Sequence, residues 1–177
     1  MSSRAEHAAL LAKVDAFSAA VVAGQGPWLA CRRGCDGCCR LRRTAWAVEV
    51  DALRAHVQTL SPDVQAALSA RRSDPAVVAG ERCVFLDPDG ACAVYDARPV
   101  ICRTHGPAVS SADGGVQWCD LGFGGLDVAG VVERVPPGSI LDLDRLNTLL
   151  AVVNARFLAA RPGPARLPLD AALEDHP

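Results

Sequence analysis

Apolar residues recur along this chain with a helical period in four places. Leu10, Val14, Phe17 and Val21 repeat every three or four positions, as one buried helix face requires, and predict a first helix over about 4–23. Gly24-Gln25-Gly26-Pro27 then breaks the pattern. Trp46, Val50, Leu53, Val57 and Leu60 mark a second helix. Ser61-Pro62 reads as a cap with proline at the first helical position, opening a short third helix through Arg72. Leu143, Leu146, Leu150, Val153 and Phe157 predict a long last helix, capped by Asp142 or Ser139. The closing stretch, residues 161–177, reads as a surface tail, which leaves residues 1–160 as one domain.

Between Cys83 and Cys119 the texture changes to short β-like runs separated by turns. CVFL and ACAVY flank Asp87-Pro88-Asp89-Gly90, a hairpin signal that would make Cys83 and Cys92 cross-strand neighbours. A second hairpin is expected to turn at Asp113-Gly114-Gly115 and deliver Cys119 on its return strand. The expected fold is therefore mainly α with a small β-hairpin element, a single domain built around an irregular, cysteine-rich centre.

Composition narrows the function classes. The chain has 177 residues, half of them hydrophobic, and a formal charge of −2, which is not the field of a general nucleic-acid binder. Lys13 is its only lysine, an arginine bias that fits a GC-rich bacterial source. Glu6 and Asp15 spoil the positive flank a leader needs, and no stretch reads as a membrane span. These features predict a cytoplasmic protein with reduced thiols and no membrane partner.

Reduced thiols give the eight cysteines their meaning. Cys31, Cys35, Cys38 and Cys39 crowd into CRRGCDGCC, where Gly34 and Gly37 free the backbone to wrap an ion or a cluster. Cys83, Cys92, Cys102 and Cys119 form a second, more widely spaced group. Soft thiolates suit iron, iron–sulfur clusters or zinc, and iron is preferred because paired Cys-x2-Cys knuckles are absent. Arg98 and Arg103 are candidate donors to the thiolates or cluster sulfur, and His105 a hydrogen-bonding neighbour of the centre. Arg32, Arg33, Arg40, Arg42 and Arg43 bracket the first group and read as compensation for thiolate charge.

The ordered run CRRGCDGCC, RCVFLDPDGACAVYDARPVICRTHG and QWCDLGF resembles the YkgJ-type cysteine-cluster family of zinc- or iron-chelating domains, over about residues 31–123. The resemblance implies a metal centre held by all eight cysteines; it implies no particular reaction. Cys31-x3-Cys35-x2-Cys38 also has the spacing of the radical S-adenosylmethionine triad, but the alternating strands and helices of that barrel are missing. Gly122-Phe123-Gly124-Gly125 lacks a strand before it, a helix after it and a Walker lysine, so it reads as a turn. The expected function is an iron or iron–sulfur protein with a redox or electron-transfer role and an unidentified redox or protein partner. The alternatives are a zinc-stabilised interaction module and a cluster-dependent enzyme.

Overall fold

The first helix, α1 (Ser3–Gln25), follows the stripe read from the sequence and buries Val14 and Val21 together with His7 and Gln25. The computed structural model describes residues 2–32, 34–136 and 138–174. After a cysteine-bearing loop come β1 (Thr44–Trp46), α2 (Ala47–Val57), α3 (Pro62–Arg71) and the single turn α4 (Pro75–Val78). A second irregular stretch leads to α5 (Val100–Arg103), β2 (Val109–Ser111), β3 (Gly115–Gln117) and α6 (Val128–Arg134). The chain closes with β4 (Leu141–Asp142), α7 (Leu143–Ala160), β5 (Arg166–Pro168) and a 3-10 turn over Leu169–Leu173. The fold is mainly α, as expected.

Helix packing follows the stripes. Helix α1 lies against α7, α2 and α5. Val14, Val48, Leu146, Leu150 and Phe157 share one apolar cluster between them. Asp142 caps α7 by accepting from the Arg145 N–H at 2.9 Å, which settles the choice between Asp142 and Ser139. Asn154, buried in the α7 stripe, accepts from the Val48 N–H at 3.0 Å and donates to the Ala165 carbonyl at 3.2 Å. It thereby ties α7 to the start of α2 and to the chain that follows.

Four expectations are corrected. The DPDG segment makes its turn, with Asp87 N–H donating to Ala91 O and Ala93 N–H to Phe85 O, both at 2.8 Å. It stops at one antiparallel bridge, Leu86 to Cys92, because Val84, Phe85 and Leu86 are all drawn into the core and leave no alternating strand face. The second hairpin does form, as β2 pairs antiparallel with β3 around the Asp113-Gly114 turn, with Cys119 two residues beyond the return strand. Residues 167–173 are not part of a surface tail. β5 pairs antiparallel with β1, and Leu169, Ala171 and Ala172 are buried against Leu53, Val57 and Phe85. The remaining tail residues, 175–177, lie outside the described residues.

The other two corrections concern segments read as unremarkable. α1 with the turn after it, residues 3–28, contains an 18-residue window of mean hydropathy 1.3 and is long and apolar enough to cross a membrane by length and composition. A helix does follow Gly124-Gly125, since Asp127 caps α6 by accepting from the Gly130 N–H at 2.8 Å. Phe123 enters that turn at φ +56° and is buried with Ala108, Val131 and Val135 in a small satellite core. Burial of its ring holds a backbone conformation that bulky residues seldom adopt.

Candidate metal centre

Both cysteine groups are built from backbone turns, and hydrogen bonds between those turns bring them together. Cys35 N–H donates to Arg32 O at 2.9 Å, and Cys39 N–H to Asp36 O at 2.8 Å, in tight turns that aim Cys35, Cys38 and Cys39 inward. Cys83 N–H then donates to Cys39 O at 2.8 Å, a direct join between the groups. A further close approach occurs at Gly90, φ +78°, where an added Cβ would lie 3.3 Å from Gly34 Cα. The DPDG turn and the first cysteine loop are in near contact there, and a side chain would push them apart.

Cys102 reaches the centre on α5, a helix too short to hold itself in place. Its anchor is Glu49, 3% exposed, whose carboxylate accepts from the Val100 N–H at 2.7 Å and from the Trp46 N–H at 3.0 Å. One side chain on α2 thus ties down the first turns of both α2 and α5. Burial pushes the Glu49 carboxyl above its usual range, and the two N–H donors oppose that shift. Sequence reading missed Glu49. Its position three residues after the helix start was the available signal.

Six of the eight cysteines, Cys35, Cys38, Cys39, Cys83, Cys92 and Cys102, line one cavity of about 410 Å³. Leu53, Phe85, Val94 and Leu169 make its apolar wall. Arg32, Tyr95 and Arg98 complete the lining, with the Arg98 guanidinium 3.6 Å from the centre of the Tyr95 ring. Cys31 and Cys119 do not line this cavity. They are neighbours beside it, where Cys119 N–H donates to Gly106 O at 3.3 Å and the Cys31 thiol faces His105 O at 3.8 Å. Gly106, at φ +128°, sits so close that a Cβ there would lie 2.4 Å from Cys31 Sγ.

The three other predicted residues take different places. Arg98 lines the cavity, and its charge favours the thiolate forms of Cys31 and Cys92. His105 lies near enough to help hold Cys38 in its thiolate form. Arg103 turns away from the thiols. Its side chain, 9% exposed, pairs with Asp15 and donates to the carbonyls of Arg98 and Asp96, both at 2.5 Å. It fastens α5 to α1 and the loop before it, so the expectation that it donates to thiolates is corrected. Among the bracketing arginines, Arg40 pairs with Asp36 at 2.7 Å and Arg42 with Asp170 at 3.1 Å, while Arg43 Nε donates to Cys38 O at 3.1 Å. Arg33 lies outside the described residues.

Protonation separates the thiols. Cys38 is pushed down to about 6, chiefly by the hydrogen bond it accepts from Cys39, with His105 and Arg43 assisting. The same bond pushes Cys39 up. Burial pushes Cys83 up to about 11 and Cys102 up to about 12, and it raises Cys31 and Cys92 as well. A thiol as buried as Cys83 or Cys102 must lose its proton before it can bind a soft metal, which higher pH favours.

The donor set fits a soft metal centre in kind. Six thiols share one cavity with a largely apolar wall, where thiolate–metal bonds replace the lost hydration of the charged sulfurs. Among the described residues, however, no three Cys, His, Asp or Glu side chains close on a single ion. The thiols ring the cavity and do not converge on one point.

Neither a curated protein nor a solved structure matches this chain. Residues 30–120, about half of its length and including all eight cysteines, match a domain family named for the motif CxxCxxCC. With six of the eight cysteines in that span around one thiol-lined cavity, the chain belongs to the CxxCxxCC family, described as "Putative zinc- or iron-chelating domain".

Proposed function

We propose that the cavity holds an iron–sulfur cluster and that the protein is a redox or electron-transfer component of a reducing, cytoplasmic compartment. The observation that carries this reading is the ring of six thiols around about 410 Å³, a spread that suits a body several atoms across better than one tetrahedral ion. Cys35, Cys38, Cys39, Cys83, Cys92 and Cys102 would hold the cluster, which supplies one-electron chemistry when bound. Leu53, Phe85, Val94 and Leu169 limit water on one side, and Arg98 offsets thiolate charge at the rim. Cys31 and Cys119 stand beside this set, with Cys31 within the electrostatic reach of Cys35, Cys38 and Cys119.

Metal and acid-labile sulfide analysis of protein purified without oxygen tests the reading. We expect iron and sulfide together at more than one atom of each per chain, with a visible absorption band that reductant bleaches. Stoichiometric zinc without sulfide would replace the cluster by the other reading, a zinc-stabilised interaction module.

His105 tunes the centre without binding the metal, since its side chain does not line the thiol cavity and acts on Cys38 electrostatically. His105→Ala is expected to shift the reduction potential while leaving metal content within about 20% of the parent, as loss of a group outside the ligand set does. Complete metal loss in this variant would make His105 a ligand.

A further inference from the structure

Two of the eight cysteines have no place in the thiol cavity. Cys31 and Cys119 do not line it, and the six thiols that do already exceed the four that a zinc ion or a common iron–sulfur cluster takes. Cys31 is exposed, whereas the other seven, Cys119 among them, are half-buried. An accessible thiol with a second thiol near it, outside the ligand set, has a chemistry of its own.

Backbone contacts hold the two cysteine segments side by side. Gly106 touches both. Its carbonyl accepts from the Cys119 N–H at 3.3 Å, and its missing Cβ leaves the space beside Cys31 Sγ. Gly122 makes a second join, donating its N–H to Cys119 O at 2.7 Å. An added Cβ at Gly122 would lie 3.2 Å from both Cys119 O and Trp28 O. Side chains at these two glycines would push residues 28–31 and 119–122 apart. The Cys31 thiol donates to His105 O at 3.8 Å and lies within electrostatic reach of Cys119.

We propose that Cys31 and Cys119 form a dithiol–disulfide couple that reduces disulfide substrates beside the metal centre. At reducing potentials the dithiol is the resting form, and the couple donates two electrons. Cys31, the exposed thiol, attacks one sulfur of the substrate disulfide. A mixed disulfide between Cys31 and the substrate forms, and the first substrate thiolate leaves with the Cys31 proton. Cys119 then attacks Cys31 Sγ, which closes the Cys31–Cys119 bond and releases the second substrate thiol with the Cys119 proton. One disulfide is reduced to two thiols, and the protein dithiol is oxidised to one disulfide. The couple uses only thiols outside the cavity, so it stands whether the cavity holds iron–sulfur or zinc.

Oxidised glutathione added without oxygen to the full, metal-loaded chain tests this, followed by alkylation of the remaining thiols and peptide mass spectrometry. The expected product is the Cys31–Cys119 disulfide, with both glutathione thiols released and metal content unchanged. Cys119→Ser should stop at the Cys31–glutathione mixed disulfide and release only one. Cys31→Ser should slow release by at least ~10-fold, since the exposed attacking thiol is gone. Both variants should keep the metal content and melting temperature of the parent. Loss of metal in either would return that cysteine to the ligand set and overturn the proposal. So would a mixed disulfide that persists in the parent chain, or oxidation that falls first on the cavity thiols.

Discussion

Cys102→Ser should remove metal and thermal stability together. Cys102 lies at the meeting point of the two cysteine groups, on a four-residue helix held by Glu49 and packed against the core that contains Leu53, Val84 and Phe85. Its thiol is pushed up to about 12 by burial, so a metal bound there would have to displace its proton. Serine cannot supply a soft ligand. Metal that binds only the folded chain contributes its binding energy to folding, and loss of one ligand weakens that by several kcal/mol. At ~2–4 °C per kcal/mol for a chain of this size, the melting transition should fall by roughly 10 °C. Metal content should fall by more than about half. Metal analysis beside calorimetric melting of the same samples decides it. Unaltered metal would remove Cys102 from the ligand set, whereas lost metal at full stability would make the centre a functional passenger.

Some order should survive in that variant. Cys83, Cys92 and Cys102 pack as half-buried apolar groups against the largest core cluster, and Cys83 N–H already bonds Cys39 O. The loop between residues 39 and 83 is thus partly closed by the polypeptide itself, and metal adds to a closure that exists. The helices should remain folded in circular dichroism at 25 °C while the cysteine loops loosen.

Removal of residues 166–177 should be still more damaging. The segment supplies β5, the only partner of β1 among the described residues, and it buries Leu169, Ala171 and Ala172. Its backbone also accepts from Arg54 at Ala171 O, and Leu169 N–H donates to Arg43 O at 3.2 Å beside the first cysteine group. Leu169→Ala alone should cost about 2–5 kcal/mol, out of roughly 5–15 kcal/mol for a whole domain. The truncated chain should therefore be insoluble or lack a cooperative transition, and Leu169→Ala should lower the melting temperature by about 5–15 °C. Because Leu169 also walls the thiol cavity, that variant should lose metal faster to a chelator than the parent. A truncated chain that melts like the parent would show that these contacts contribute nothing.

The helices were legible because their information is local. A stripe such as Leu146, Leu150, Val153 and Phe157 needs only the helical period to declare which face is buried. The identity of the cysteines was equally plain, since four thiols within nine residues have no packing explanation, and the family match agrees with it. Turn chemistry was half legible. Asp113-Gly114-Gly115 made its hairpin, but Asp87-Pro88-Asp89-Gly90 made a turn whose flanks were claimed by the core.

What sequence alone determined here is therefore the helical stripes, the mainly α class and the soft-metal character of the eight thiols. Each depends on residue type and short spacing. Tertiary structure decided which thiols share a cavity, because that depends on the Cys83–Cys39 bond, on Glu49 holding α5 and on Gly90 meeting Gly34, all contacts between distant segments. It decided that Arg103 serves α1 and not the thiols, since Asp15 lies 88 positions away in the chain. It also made residues 167–173 part of the core. Leu167 and Leu169 carry no period long enough to announce burial, and only the exposed edge of β1 and the open face of α2 gave them somewhere to dock.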